Sequence, residues 1–223
     1  MARKIFIDGG ANVGQSARSF LAEWPNSNEY EVFCFEPSRG ENIKNSLKAL
    51  SEQFNNVQVI PAAIWVKDEE ITFYDEERTS SSVIKEKLKG VKGISVKAID
   101  LSEWIKDNFS DDDEIILKLD IEGAEYEVLE KLVQEGVTYS IDKVFIEIHG
   151  SKCGKTLQES KDLLSLMRSV GHKLYMWEGE TFEYDSYEAC YYTDEVLEKL
   201  HHNWTKRGFD RVVQERKTNE RKA

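Results

Sequence analysis

Leu117-Lys118-Leu119-Asp120-Ile121-Glu122-Gly123-Ala124-Glu125 is the stretch that decides the fold. It completes a pattern begun by Phe6-Ile7-Asp8-Gly9-Gly10-Ala11-Asn12-Val13-Gly14 near the start of the chain. Each segment is a short apolar run that ends in Asp, meets glycine at once or soon after, and passes into a helix-like stretch. Largely apolar runs of this kind suit strands buried on both faces of a parallel sheet. In such a sheet, ligands gather outside the carboxyl ends of the strands, where strand-to-helix turns lie. Two acidic, glycine-bearing turns on one edge point to a nucleoside cofactor with a reacting group beside it.

Outward from these turns, strand-like and helix-like segments alternate. The pattern predicts strands at residues 4–8, 30–35, 57–60, 64–74, 94–98, 115–119 and 143–148. Two aromatic-rich segments, 173–177 and 188–192, read as closing strands. Helices are expected at 14–24, 40–53, from 100 through Trp104, at 124–134 and at 157–170, with helical character again from 194. Asp100 suits an N-cap, with Glu103 at the capping-box position. Strands separated by helices of this length make βαβ units and a mostly parallel sheet, to which closing hairpin-like strands add an antiparallel edge. A polar loop carries Ser80-Ser81-Ser82. The expected organisation is one domain over 1–200 and a basic, helical or frayed tail over 201–223, since residues 214–223 contain no large hydrophobic group.

Composition narrows the function classes. The 223 residues are 40% hydrophobic and 32% charged, with a formal net charge of -12. That balance argues against a general nucleic-acid binder, which would carry a basic face. Three scattered cysteines (Cys34, Cys153, Cys190) supply neither a disulfide framework nor a CxxC zinc site, and no metal ligand set is read from the sequence. Their odd number fits a reducing compartment. The first strand begins too early to leave room for a signal peptide, and no apolar run reaches the 18 residues of a membrane span. A cytoplasmic protein is expected.

The first turn departs from GxGxxG, since Asn12 stands where the middle glycine would approach a pyrophosphate. This counts against NAD and FAD. Asp8 at the strand end can accept from an amino or cationic group, and glycines let backbone approach a ligand. S-adenosyl-L-methionine, with its ammonium and sulfonium, suits an acidic turn that needs no pyrophosphate. Glu36 ends the second strand 22 positions after Gly14, placed to take both ribose hydroxyls. Gly9, Gly10 and Gly14 on their own also read as an ordinary strand-to-helix turn; Glu36 favours the ligand reading.

Two strands carry a charge where an apolar residue is the rule, Lys118 in one and Glu147 in the other. If the strands are neighbours, these two are expected to pair. Asp120 shares the face of Lys118, because side chains alternate along a strand. It is expected at the carboxyl edge, near the reacting end of the cofactor, and reads alternatively as a helix N-cap. Glu122 and Glu125 read equally as site residues and as first-turn carboxylates complementing the helix dipole. His149 ends the next strand; with Asp120 it would take a proton from a hydroxyl attacking a methyl group, or else is a packed residue.

Together, the turn at Asp8 to Gly14, Phe35-Glu36-Pro37, Pro61-Ala62-Ala63, the acidic run Lys118 to Glu125, and Glu147-Ile148-His149 resemble the FkbM family of S-adenosylmethionine-dependent methyltransferases. The resemblance covers about Ile5 to His149. It implies a single Rossmann-like class I methyltransferase domain of α/β class, with a mostly parallel seven-stranded sheet and helices on both faces. It also implies O-methylation of a small-molecule or glycan hydroxyl acceptor. By position, Asp8, Gly10, Asn12 and Glu36 would hold the cofactor and Asp120 would lie near the transferred methyl. The full set of expected cofactor contacts is Asp8, Gly9, Gly10, Asn12, Gly14, Glu36, Ala62 and Asp120, with Asp120 and His149 as catalytic residues. The competing readings are a catalytically silent binding protein on the same fold, an NAD-dependent oxidoreductase and a nucleic-acid methyltransferase.

Overall fold

A computed structural model describes residues 2–74, 93–177 and 184–207. In chain order the elements are β1 (Lys4–Gly9), α1 (Gln15–Glu23), β2 (Tyr30–Phe35), α2 (Glu41–Gln53), β3 (Val57–Ile60), β4 (Ala63–Trp65), β5 (Glu69–Tyr74) and β6 (Gly93–Asp100). They continue with α3 (Leu101–Asn108), β7 (Glu114–Leu119), α4 (Glu125–Gln134), β8 (Lys143–Ile146), α5 (Leu157–Ser169), β9 (Leu174–Met176) and α6 (Asp194–Lys206).

Six strands form the central sheet in the order β3-β2-β1-β7-β8-β9, and every pairing is parallel. The chain builds β1, β2 and β3 in one direction, then returns to the other side of β1 to add β7, β8 and β9. The reversal opens a crevice at the carboxyl ends of β1 and β7, the place where open α/β sheets bind ligands. The register sets Asp8 beside Lys118 and Gly9 beside Leu119. β4, β6 and β5 make a separate three-stranded sheet, with β5 antiparallel to β6.

Alternation along the strands divides the core in two. Ile5, Ile7, Ile115 and Leu117 pack with residues of α3, α4, α5 and α6 on one face. Phe6, Val32, Cys34 and Ile116 pack with α1 and α2 on the other. There the Phe6 and Phe20 rings stack with centroids 3.9 Å apart. Helices on both faces and a parallel sheet therefore agree with expectation.

Five details are corrected. The central sheet has six strands among the described residues, not seven. The segment 188–192 contributes one isolated antiparallel bridge, Tyr175 to Tyr191, because its first two residues lie in a short 3-10 helix at Tyr187–Ala189, with Tyr187 in the core. The run 64–74 breaks into β4 and β5, which pair with opposite sides of β6 in opposite senses. β8 ends at Ile146, leaving Glu147, Ile148 and His149 in the turn beyond it. Asp100 does cap α3, accepting from the N–H groups of Ser102 and Glu103, but its own N–H donates to Asp68, so no capping box forms.

α6 runs across residue 200 to Lys206, and Trp204 lies in the core. Its ring leaves no space over Gly150, where a Cβ would meet it at 2.0 Å, so glycine is required just after His149. The serine loop at 80–82 and the segment 214–223 lie outside the described residues.

Candidate functional site

The two turns read from the sequence are built against each other. The Asp120 N–H donates to the Gly9 carbonyl at 3.0 Å. Gly10 has φ 77°, and a Cβ there would lie 1.9 Å from the Asp120 carbonyl oxygen, so no other residue fits. The N–H groups of Gly10 and Ala11 both donate to the Phe35 carbonyl, drawing the end of β2 to the first turn. Asn12 follows with φ 50°, a left-handed conformation that Asn tolerates better than most residues. Its N–H donates to Glu36 Oε2 at 2.8 Å, while the Ser38 N–H donates to Oε1 at 2.7 Å. Glu36 is thereby held by both oxygens and is 8% exposed.

Beneath the turns sits Lys118. Its Nζ lies 3.0 Å from Asp8 Oδ1 and 3.8 Å from Asp120 Oδ2, and it donates to the carbonyls of Gly9 and Gly10. The Ser16 hydroxyl donates to Asp8 Oδ2 at 2.7 Å, so Asp8, fully buried, is engaged on both oxygens. Burial alone pushes the Lys118 ammonium down, but Asp8, then Asp120 and Glu147, outweigh it and hold its pKa above the ordinary lysine value. The expected Lys118–Glu147 pair is not formed. β7 lies between β1 and β8, and the register partner on β1 is already a carboxylate, whereas the partner on β8 is Phe145. Glu147 lies past the end of its strand, 3.6 Å from His149 Nε2 and 3.7 Å from Lys152 Nζ.

His149, only 2% exposed, is ringed by carboxylates. Glu125 Oε1 is 3.2 Å from its Nδ1; Glu122 Oε2 is 3.0 Å and Asp120 Oδ1 is 3.6 Å from its Nε2. Glu125 is fully buried, and its two oxygens also accept the N–H groups of Ile121 and Gly123 at 2.8 Å each. It folds the acidic turn around itself. Glu122 adopts φ 58° within that turn.

Beside these turns runs a cleft that is open to solvent. Of the expected contacts, Gly10, Asn12, Glu36 and Asp120 line it, while Asp8, Gly9, Gly14, Ala62 and His149 stand behind the lining. Ala63 rather than Ala62 reaches the surface of the cleft. Ser38, Ile64, Phe73 and Glu122 line it as well and were not among the expected site residues. The sequence marks Ser38 only by its closeness to Glu36. Ile64 and Phe73 come from the second sheet, whose position over the crevice no local pattern announces.

The arrangement offers an apolar wall, a doubly held carboxylate at one end and an acidic group at the other. Comparison with known proteins agrees with it: the family model described as the methyltransferase FkbM domain matches residues 8–174. No curated protein and no solved structure matches the chain.

Proposed function

The chain belongs to the FkbM methyltransferase family, and from that premise we propose that it transfers a methyl group from S-adenosylmethionine to a hydroxyl oxygen of a sugar or small natural product. One observation carries the reading. Glu36 sits on the cleft lining with each oxygen fixed by one backbone N–H, which holds its carboxylate in place for the hydroxyls of a vicinal diol such as ribose. Phe35, Ile64 and Phe73 supply the apolar surface that a nucleoside base needs, and Asp120 supplies negative charge for a cationic group. The residues present therefore fit the cofactor.

When bound, S-adenosylmethionine supplies an electrophilic methyl group on a sulfonium. The chain's part is to hold the acceptor oxygen in line and to receive its proton, since a new O–C bond forms as the S–C bond breaks and the hydroxyl proton must leave. Asp120 is the carboxylate on the lining that we assign to that proton, with His149 orienting it from behind through their 3.6 Å contact.

No helix among the described residues is long and apolar enough to cross a membrane. We place the protein in the cytoplasm, a reading supported by three free cysteines, two of them buried. Calorimetry with S-adenosylmethionine and its demethylated product, followed by transfer of a labelled methyl group across glycans and small alcohols, tests the function. One cofactor per chain and a labelled hydroxyl product are expected. Absence of binding by either cofactor form overturns the reading.

A further inference from the structure

We propose that Asp120, Glu122 and His149 hold a divalent first-row cation at the edge of the cleft, and for its role in the reaction this rests on the methyl-transfer reading. One ligand atom from each residue converges, all within 4.8 Å of one another. The residues come from two segments, the turn after β7 and the turn after β8, and the pairing of these strands brings them together.

The tautomer of His149 is the decisive point. The Glu125 carboxylate, already accepting from Ile121 and Gly123, stands 3.2 Å from Nδ1 and can only accept there, so Nδ1 carries the hydrogen. In the neutral ring Nε2 then presents a lone pair to Glu122 Oε2 at 3.0 Å and to Asp120 Oδ1 at 3.6 Å. One ring nitrogen and two carboxylate oxygens turned toward one another are a donor set that a divalent cation takes. Ligands about 2.1 Å from a common ion stand roughly 3.0 Å apart at a right angle and roughly 3.4 Å apart at a tetrahedral one, close to these two separations.

Three further observations agree. A carboxylate holding the far nitrogen of the imidazole is the usual support for a metal-bound histidine, and Glu125 occupies that place. Lys118 approaches Asp120 at Oδ2, 3.8 Å away, while it is Oδ1 that faces His149. Asp120 and Glu122 both line the cleft, so a cation between them keeps positions open toward it. One imidazole and two carboxylates suit manganese, iron or zinc better than a thiol-seeking ion. Placed there, the ion would bind the acceptor oxygen and ease loss of its proton.

The test uses the full chain, stripped with a chelator and titrated with Mn²⁺ without S-adenosylmethionine, free Mn²⁺ being read by electron paramagnetic resonance. A parallel calorimetric titration uses Zn²⁺. One ion per chain is expected, with affinity reduced roughly tenfold or more in Glu122→Gln and in Asp120→Asn, and unchanged in Glu52→Gln on the exposed side of α2. Saturating Mn²⁺ should raise the melting temperature of the unmodified protein and not that of a folded Glu122→Gln variant. No ion bound at millimolar concentration, or binding undiminished in both variants, overturns the site. A protein that binds the cofactor but neither metal loses only this inference, whereas one that binds Mn²⁺ and no cofactor loses the methyl-transfer reading.

Discussion

Glu36 and Glu125 are built alike and used differently. Each is a glutamate at the end of a strand-to-helix turn, less than a tenth exposed, with each carboxylate oxygen accepting one backbone N–H. Glu36 stands on the cleft lining; Glu125 is sealed beneath it, against His149. One local device thus presents a carboxylate to the cleft on the β2 side and folds the turn on the β7 side. What separates the two is what each carboxylate borders: Glu36 lines the cleft, while Glu125 meets an imidazole. A buried acid in a turn is not a ligand residue by its bonding alone.

The sharpest way to break this comparison is at Asp120, which belongs to the acidic side but reaches the cleft. Asp120→Asn should lower methyl transfer by about 10²–10⁴ while cofactor affinity, measured by calorimetry, stays within a few-fold. Undiminished turnover would remove Asp120 from the chemistry. Lys118 joins the two sides, so Lys118→Met should damage both. It leaves Asp8 buried and uncompensated, and a loss of about 3–5 kcal/mol in chemical denaturation is expected.

A matched pair of variants then separates the two glutamates. Glu125→Ala leaves two turn N–H groups and His149 without their acceptor, each unpaired group costing about 1–3 kcal/mol of stability. Glu36→Ala should weaken cofactor binding roughly tenfold or more, with the smaller stability loss of the two. Equal stability losses with unchanged binding would erase the distinction.

The smallest effect lies away from both turns and sets their baseline. The N–H groups of Arg3 and Ser110 hold Asp113 down at about 2 from an ordinary 3.8, and Lys106 with Ser102 holds Glu135 down at about 2 from 4.5. Both folded values are depressed, so their stabilisation is present above the unfolded values and is lost as pH falls from about 4.5 toward 2. Melting temperature should decline over that window, less steeply in Asp113→Asn.

Much of the fold was legible because it rests on local signals. Apolar runs between amphipathic helices marked all six central strands, and the two Asp-ending runs proved to be the strands flanking the switch point. What escaped depends on order and on tertiary direction. That Lys118 and Glu147 interrupt apolar strands is visible in the sequence; that β1 brings Asp8 directly beside Lys118 is a matter of strand order. Asp8 at a strand end reads like a ligand residue, and only the positions of Lys118 and Ser16 show it occupied. The aromatic run at 188–192 has the composition of a strand, but Tyr187 packs between Trp24 and Phe145 and the backbone coils to place it there. Glu122 and Glu125, equal by sequence, part company because one carboxylate borders the cleft and the other folds back under its own turn.

The Gly10 contact with the Asp120 carbonyl, at a distance that admits no side chain, has a consequence for anyone wishing to re-engineer this enzyme. The glycine turn after β1 and the acidic turn after β7 form one unit of exchange. Transplanting residues 8–14 from a relative without residues 117–125, or the reverse, would set a foreign curve against a surface shaped for another. Chimeras should therefore carry both segments from one parent.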